Sequence, residues 1–491
     1  MRLRNIIWSG LMLACSVGCA DFLDVQPKDK QSEKQLFATR GGDYTAVNGI
    51  YNKMASAALY GKNLSYELVD VISKRYQPLS VNTYLMALST FAYTDNSVET
   101  ELSNTWTAAY NTILNCNVVL ENIDKSEGVL STVESQGLKG EMLAVRAFLH
   151  FDMLRLFGPV YKLQPQAESI PYNESSKVVA LPLLPADSVI HEKILRDLDE
   201  AEGLLADSDP VIAEGPMASL EEDQDVYSRY RQLRMNYYAV QALKARVYLY
   251  AGEQANALAA ARKLLMDTRV DEHFPAVDPN KLLANQTNPD RVFSTEVLAG
   301  IYKKDRKDIY TGYFSAEQAG NNYLHPRKDF VNTSLFAGET QDYRFQTWWQ
   351  IASGVGESGH VLIKYKGIDQ PSGTTETEYF YAVFMSLIRL SEVYYIAAEC
   401  DPVLADRYEW LNQARARRGL PNLTAVSEDD FMKRLRGEYL REFIGEGQIF
   451  FMYKRLYINI NSDENGYDTS TYGAREERYV LPMPSGEIAN R

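Results

Sequence analysis

The sequence predicts a mainly α-helical fold, in which helical hairpins form a scaffold around a large irregular, loop-rich insertion with a few short strands. The clearest hairpin is residues 386–417, where apolar side chains recur at helical spacing on both sides of Pro402. Because proline does not fit a helix interior, Pro402 is predicted to open the second helix. The small residues Ala397, Ala398 and Ala414 allow the two backbones to approach closely, which is typical of tetratricopeptide-like hairpins.

The same pattern recurs elsewhere in the chain. Residues 236–269 repeat the spacing of small and apolar residues, and residues 134–206 contain a long helix that Gly158 and Pro159 end. A further pair in 45–123 gives four hairpin units. Because the units are not contiguous, we expect a scaffold with insertions rather than a free solenoid. The predicted helices lie at 44–54, 101–123, 134–157, 187–206, 236–269, 386–417, 429–443 and 449–456.

The N-terminus has the features of a lipoprotein signal peptide. Arg2 and Arg4 precede an apolar run that is too short to span a bilayer and ends just before Cys19. We therefore predict a signal peptide at residues 1–18 and a lipid anchor on Cys19, with Cys15 as a rival acceptor. An ordinary signal peptide with two incidental cysteines is the alternative.

The remaining chain divides into a short tether and one domain. Residues 19–40 are predicted to be an extended tether, because Pro27 interrupts any helix there. Residues 41–491 are predicted to form a single α-helical domain, with ligand-face loops at 58–100 and 270–385. These two regions are rich in Tyr, Ser, Asn and Thr and have weak helical periodicity. Short strands are expected near 292–298 and 361–365, and an extended strip at 479–488.

Charge and cysteine content exclude some functions. The 491-residue chain carries a formal charge of −14, and an acidic protein is a poor partner for nucleic acid. Cys116 and Cys400 both lie in predicted helices, where buried free thiols are expected more than a disulfide bridge.

Motifs for catalysis or metal binding are lacking in the sequence. Residues 354–359 match the letters of a dinucleotide fingerprint, but a strand-like segment follows where a helix is required, so a loop is expected. The five histidines are far apart and no zinc-type spacing occurs, and His150 is predicted to pack inside a helix. We therefore predict no catalytic residue, no metal and no cofactor. A pair of carboxylates at glycosidase spacing stays an open alternative, since 65 acidic residues allow it.

Aromatic residues in the insertion are the candidate binding groups. Sugars present C–H patches that stack on Trp and Tyr rings, while polar neighbours hold their hydroxyl groups. Trp348 and Trp349 are adjacent, and neighbours in a strand point to opposite faces, so at least one is expected to be exposed or at a loop edge. Tyr76, Tyr84 and Tyr323 are further ligand-binding candidates. Trp106 and Trp410 fall on helix faces and are expected in the core.

Five segments in the same order resemble the SusD/RagB family of outer-membrane nutrient-binding lipoproteins of the Bacteroidetes. The resemblance runs from Cys19 to the C-terminus, with modest departures at Ser391 and at Phe451-Met-Tyr, both at packing positions. The segments are Cys19-Ala-Asp-Phe-Leu-Asp-Val-Gln-Pro, Arg146-Ala-Phe-Leu-His-Phe-Asp-Met-Leu-Arg-Leu-Phe-Gly-Pro-Val, Ile388-Arg-Leu-Ser-Glu-Val-Tyr-Tyr-Ile-Ala-Ala-Glu, Leu440-Arg-Glu-Phe-Ile-Gly-Glu-Gly-Gln and Leu481-Pro-Met-Pro-Ser-Gly-Glu-Ile.

The resemblance implies four tetratricopeptide-like units, a lipid anchor in the outer membrane at the cell surface, and no catalysis. It also implies an oligosaccharide ligand and a SusC-like TonB-dependent transporter as partner, to which the ligand is delivered. A peptide-binding member of the same family, a surface glycoside hydrolase on a helical scaffold, and a structural lid that touches no ligand are the alternatives. The five aromatic candidates come from the sequence itself and not from the resemblance.

Overall fold

The computed structural model describes residues 33–125, 128–216, 227, 229–284, 288–327, 329–353, 358–368, 380–461 and 471–489. The predicted signal peptide, Cys15, Cys19 and most of the tether lie outside these residues. Across the described chain, no helix combines the length and apolar character that crossing a membrane requires.

Ten longer helices form the body of the protein, as the sequence predicts. They are α1 (Arg40–Met54), α2 (Asn96–Ile123), α3 (Thr132–Phe157), α4 (Leu195–Ser208), α5 (Tyr237–Ala251), α6 (Gln254–Leu265), α7 (Leu390–Cys400), α8 (Leu404–Ala416), α9 (Glu428–Glu442) and α10 (Ile449–Leu456). Shorter α-helices lie at Leu68–Ile72, Thr83–Ser89, Ala186–Ser188, Val211–Glu214, Val270–His273, Pro279–Ala284, Lys307–Ile309, Tyr343–Trp348, Glu476–Tyr479 and Ser485–Ala489.

Helix α3 shows how local sequence sets its boundaries. The Ser131 hydroxyl accepts from the Glu134 backbone N–H, and the Glu134 carboxylate accepts from the Ser131 backbone, which forms a capping box. Gly158 ends the helix at its C-terminus. Every residue from Gly140 to Phe157 is buried, so α3 is covered on all sides and occupies the centre of the scaffold.

The first eight long helices stack in chain order. Each of α1 to α8 packs against the next one along the chain, and α9 packs on α7 and α8. Such nearest-neighbour stacking is the packing of a helical-hairpin scaffold. Ala397 and Ala398 in α7 and Ala414 in α8 are buried, as expected for close helix contacts.

The strands are short and pair antiparallel. Their bounds are β1 (Gln77–Pro78), β2 (Val297–Tyr302), β3 (Leu324–His325), β4 (Trp349–Ser353), β5 (Ser358–Leu362), β6 (Phe384–Arg389), β7 (Ile460–Asn461) and β8 (Thr471–Tyr472). The pairs are β1 with β3, β2 with β6, β4 with β5 and β7 with β8. In the second pair Val297 lies opposite Arg389 and Tyr302 opposite Phe384.

Several boundaries differ from the prediction. Residues Ser386–Arg389, predicted as helix, belong to strand β6, because they pair with β2 instead of with the helix that follows. Helix α8 begins at Leu404, two residues after Pro402. The predicted extended strip ends in the helix Ser485–Ala489. Phe37 belongs to the predicted tether but is buried in the core, so the last residues of the tether are part of the folded domain.

The loop-rich regions contain more regular structure than predicted. Region 58–100 holds two short helices, strand β1 and the start of α2, and region 270–385 holds short helices as well as β2 to β5 and the start of β6. The dinucleotide-like motif, residues 354–359, follows β4 in the sequence, and its last glycine, Gly359, is in β5. Residues 354–357 of that motif lie outside the described residues.

A cluster of buried ion pairs anchors the insertion to the scaffold. Glu442 in α9 accepts hydrogen bonds from Arg344 at 2.8 Å, from Arg418 at 2.5 and 3.0 Å, and from Arg389. Arg418 also pairs with Glu296, and Arg344 with Glu438. All these side chains are buried, and we refer to this group as the Glu442 cluster. It joins the insertion to α9, to the end of β6 just before α7, and to the segment just after α8.

Candidate functional site

The structure brings the two predicted ligand-face regions together. Strand β1 from the first region pairs with β3 from the second, with Gln77 opposite His325. Nearby, the Asn82 side-chain amide donates to the Asn321 carbonyl at 3.1 Å and to the Asn322 side-chain oxygen at 3.0 Å. Two stretches separated by more than 200 residues in sequence therefore form one surface.

Three half-buried tyrosines lie at this junction, and we call them the tyrosine face: Tyr84, Tyr310 and Tyr313. The Tyr313 ring packs edge-on against buried Tyr66, with 5.1 Å between ring centroids. Tyr310 is in the same π-helical segment, Tyr310–Phe314, and packs against a small apolar cluster that contains Tyr323. The rings are thus fixed from below and partly open to solvent.

Charged groups hold the Tyr84 end of this face. The Tyr84 hydroxyl donates to the Glu67 carboxylate at 3.3 Å, and the Lys62 ammonium contacts Glu67 at 2.8 Å and Glu101 at 3.5 Å. Asn63 donates to Glu101 at 3.0 Å. Lys62 therefore lies between two carboxylates and partly neutralises both.

The hydroxyl groups of Tyr84 and Tyr313 both lie near Glu67, and both keep their protons at neutral pH. Burial, followed by the Glu67 carboxylate, raises the pKa of Tyr84 and of Tyr313 well above the ordinary value for tyrosine. Each hydroxyl donates this proton to Glu67, so its oxygen is left as an acceptor for a ligand. Together with the carboxylate and ammonium groups, the face offers ring surfaces, donors and acceptors, which are the groups that hold a polyhydroxylated ligand.

A buried carboxylate, Asp70, lies behind Tyr76 and below the face. Asp70 is fully buried; its Oδ2 accepts from the Gly445 backbone N–H at 2.6 Å and from the Tyr76 hydroxyl at 3.3 Å. Its Oδ1 has no hydrogen-bond partner within the described structure. Burial raises the pKa of Asp70 to about 7.

The expectation that Trp348 or Trp349 is exposed is wrong. Trp348 is completely buried and Trp349 is 6% exposed. Trp348 ends the helix Tyr343–Trp348 and Trp349 begins β4, so the alternation of a single strand does not apply to them. Trp348 packs on Phe293, with the Lys364 ammonium 3.8 Å above its ring. Ligand binding by these two residues stays a prediction, and this conformation gives Trp348 no surface to offer.

The three tyrosine candidates have different surroundings. Tyr84 belongs to the tyrosine face. Tyr76 is 3% exposed and directs its hydroxyl to Asp70, and Tyr323 is 6% exposed and stacks on His325 with ring centroids 5.1 Å apart. Both therefore support the face from within rather than present a ring to solvent.

Sequence reasoning did not select Tyr310 and Tyr313 as binding residues. Their signal was present, because both lie in the polar, Tyr-rich insertion that was expected to form the ligand face. Glu67 and Lys62 could not be recognised as site residues from the sequence, since an isolated acid and base in a loop have no characteristic spacing.

The predictions for the two cysteines, for His150 and for Trp106 are confirmed, whereas the prediction that Trp410 lies in the core is only partly met. Cys116 and Cys400 are buried free thiols. His150 is buried, stacks on Tyr172, and accepts a hydrogen bond from the Asn173 backbone through Nε2, so its Nδ1–H donates to the Arg146 carbonyl. Trp106 is in the core, whereas Trp410 is only partly buried and donates to Asp401. No group of three or more His, Cys, Asp or Glu in the described chain is arranged to hold a metal ion.

A cavity of about 1480 Å³ lies outside the tyrosine face. Residues of 213–216, 272–284 and 288–295, together with Phe380 and Tyr381, line it. None of its lining residues comes from 58–100, so it does not join the two predicted ligand-face regions.

Two family models match this chain. A model described as "Starch-binding associating with outer membrane" covers residues 21–213, and one described as "SusD family" covers residues 303–491. The chain belongs to the SusD/RagB family. The predicted resemblance and the mainly helical fold class are confirmed.

Relatives of the same family cover the whole chain. "SusD-like protein P25" of Formosa agariphila is 21% identical over 99% of this chain and 97% of its own length. The crystal structure of a SusD homologue from Bacteroides thetaiotaomicron matches with a TM-score of 0.70 at 17% identity, covering 94% of this chain and 97% of that one. A structure named "Laminarin binding SusD-like protein" matches with a TM-score of 0.59 at 18% identity, covering 92% and 97%. At these identities the structures establish the fold alone.

Proposed function

We propose that this SusD/RagB protein is a non-catalytic glycan-binding lipoprotein, anchored through Cys19 in the outer membrane at the cell surface, that passes oligosaccharide to a SusC-like TonB-dependent transporter. One observation carries the binding part: two distant loop regions meet in a tyrosine face whose rings are fixed from below and half open to solvent. The description of one matching family model as starch-binding, and the name of one laminarin-binding structural neighbour, support a carbohydrate as the ligand class.

The geometry of the face favours binding over hydrolysis. A glycosidase needs two carboxyl groups that flank an open space for the scissile bond. Near Tyr84 and Tyr313 the two acids are Glu67 and Glu101, and both contact the same Lys62 ammonium. Lys62 therefore occupies the space between the two carboxylates, where a hydrolase would place its substrate.

Calorimetry with a panel of neutral and acidic oligosaccharides tests the proposal, using the wild type and a Tyr84→Ala/Tyr313→Ala variant. Tyr248→Ala is the matched control, because Tyr248 is also half-buried but lies on α5, away from the face. We expect binding in the wild type and the control, and a loss of about tenfold or more in the double variant. Equal affinity in all three would place the ligand elsewhere, and release of shorter sugars from any substrate would favour the hydrolase.

The anchoring and partner parts need a separate measurement in cells. Cys19→Ser is expected to release the protein from the outer membrane, whereas Cys15→Ser is expected to leave it attached. Co-purification with a TonB-dependent transporter tests the partner. A protein that co-purifies but binds no glycan would be the structural lid.

A further inference from the structure

A basic segment stands next to the tyrosine face in an otherwise acidic protein. Residues 303–308 read Lys-Lys-Asp-Arg-Lys-Asp, and they lead directly into Tyr310. Lys304 and Lys307 are exposed and make no ion pair within the described structure. Lys303 pairs with Asp305. A local excess of cations is notable because the whole chain carries a formal charge of −14.

Lys366 joins this segment to the tyrosine face. Its ammonium lies over the Tyr310 ring at 5.6 Å from the centroid and donates to the Gln350 side chain at 3.3 Å. The neighbouring Gly367 is in contact with the Lys307 side chain, because a Cβ built on it would lie 3.1 Å from the Lys307 Cβ. We call Lys303, Lys304, Lys307 and Lys366 the basic patch.

A buried arginine lies behind the patch. Arg306 is 2% exposed, and its Nη1 makes one hydrogen bond of 3.3 Å to the Phe384 carbonyl, while its Nε has no partner. Arg344, Arg389 and Arg418, which are equally buried, each contact at least two carboxylates. Arg306 contacts none among the described residues. Burial lowers the pKa of Arg306 to about 10, and the nearby Tyr365 and Asp290 offset only part of this shift.

We infer that the basic patch receives carboxylate or sulfate groups of the ligand, so that the substrate class of the tyrosine face is an acidic oligosaccharide. This inference rests on the proposed glycan-binding function and adds the charge of the ligand to it. Sugar rings stack on Tyr310 and Tyr313, and anionic substituents on neighbouring sugars reach Lys366, Lys307 and Lys304. The patch adjoins the tyrosine face both in sequence and through the Lys366–Tyr310 contact, which favours a glycan over a lipid surface as the anion.

Two matched ligand pairs test the charge requirement. Oligogalacturonate is compared with its methyl ester, and dextran sulfate with dextran, by calorimetry at low and at high salt. We expect an acidic member to bind at least tenfold more tightly than its neutral counterpart, with the difference shrinking as salt screens the charges. The Lys304→Gln/Lys307→Gln/Lys366→Gln variant is expected to lose about tenfold in affinity for the acidic member and little for any neutral sugar.

The control is Lys53→Gln/Lys433→Gln, which removes two exposed lysines on α1 and α9, away from the patch. Equal affinity for charged and neutral members, or unchanged binding in the triple variant, overturns the inference and leaves the proposed function standing. Failure to bind any glycan in the wider panel overturns the proposed function and this inference with it. Lysine-dependent binding to phosphatidylglycerol-containing vesicles without binding of either acidic probe also overturns it, in favour of a membrane contact.

Discussion

The Glu442 cluster and the basic patch beside the tyrosine face use charged groups in opposite ways. In the cluster, three buried guanidinium groups surround one carboxylate, and further acids complete their hydrogen bonds. At the tyrosine face the rings are half-buried, and in the basic patch beside it the exposed Lys304 and Lys307 make no ion pair within the described structure. Buried charges that are fully paired hold the helices and the insertion together. Exposed charges without an ion pair, and half-buried rings, can instead contact a ligand.

The largest expected effect follows from removing the centre of the cluster. Glu442→Gln leaves Arg344, Arg389 and Arg418 buried with one anion fewer, so we expect a loss of about 3–5 kcal/mol in the free energy of unfolding. Urea denaturation measures it. Glu428→Gln is the control, because Glu428 is exposed and its pair with Arg407 should contribute less than about 1 kcal/mol. Similar effects of the two substitutions would contradict a special role for the cluster.

Overpacking the helical scaffold should lower the free energy of unfolding by less than Glu442→Gln does. Ala397 is fully buried in α7, so Ala397→Trp forces the packed helices apart and is expected to destabilise the protein by roughly 1–3 kcal/mol or more. Thermal and urea unfolding measure the loss. Glycan affinity should fall only in proportion to the unfolded fraction, and a direct loss of affinity in the folded variant would argue that α7 takes part in binding.

A substitution on the tyrosine face should lower glycan affinity more than it lowers the stability of the protein. Tyr313→Ala removes a half-buried ring, and we expect a loss of about 1–2 kcal/mol in glycan binding with a smaller change in unfolding free energy. Tyr84→Phe, which keeps the ring and removes the hydroxyl that donates to Glu67, should cost less than Tyr84→Ala. If Phe and Ala at position 84 are equally harmful, the hydroxyl rather than the ring is the contact.

The smallest expected effect is on the pH dependence of stability, which should have opposite signs for Glu438 in the Glu442 cluster and for Asp70 below the tyrosine face. Arginine partners hold the pKa of Glu438 at about 2, below its ordinary 4.5, although burial opposes this. The stability from Glu438 is present above pH 4.5 and is lost as the pH falls toward 2. Asp70 behaves oppositely: its pKa rises from 3.8 to about 7, so its contribution is full below pH 3.8 and is lost as the pH rises through 7.

Urea midpoints measured between about pH 3 and pH 8 for Glu438→Gln and Asp70→Asn check these signs. Glu438→Gln should flatten the acid side of the wild-type profile, and Asp70→Asn should flatten its neutral side. An Asp70→Asn profile that matches the wild type from pH 5 to 8 would mean that Asp70 is ionised throughout.

The sequence was sufficient for the scaffold because helical periodicity is a local property. The spacing of apolar residues in α3 and its Gly158-Pro159 end predict that helix to within a few residues. The burial of Trp348 and Trp349 could not be predicted in this way, because the chain changes from helix to strand between them. Pairing between Asn82 and Asn321, or between Arg418 and Glu296, depends on tertiary contacts that no local pattern encodes.

The Glu442 cluster also has a consequence for the order in which the protein folds. Its arginines lie at positions 344, 389 and 418, whereas the carboxylate they share follows 98, 53 and 24 residues later in the chain. During synthesis these guanidinium groups therefore emerge before Glu442. Arg344 and Arg418 already have Asp342 and Glu296 as partners, whereas both carboxylates that pair with Arg389 follow it in the chain. Since contacts of long sequence separation form late, we expect the insertion to dock only once α9 is complete. A nascent chain that stops before Glu442 should remain open, sensitive to protease, and unable to assemble the tyrosine face.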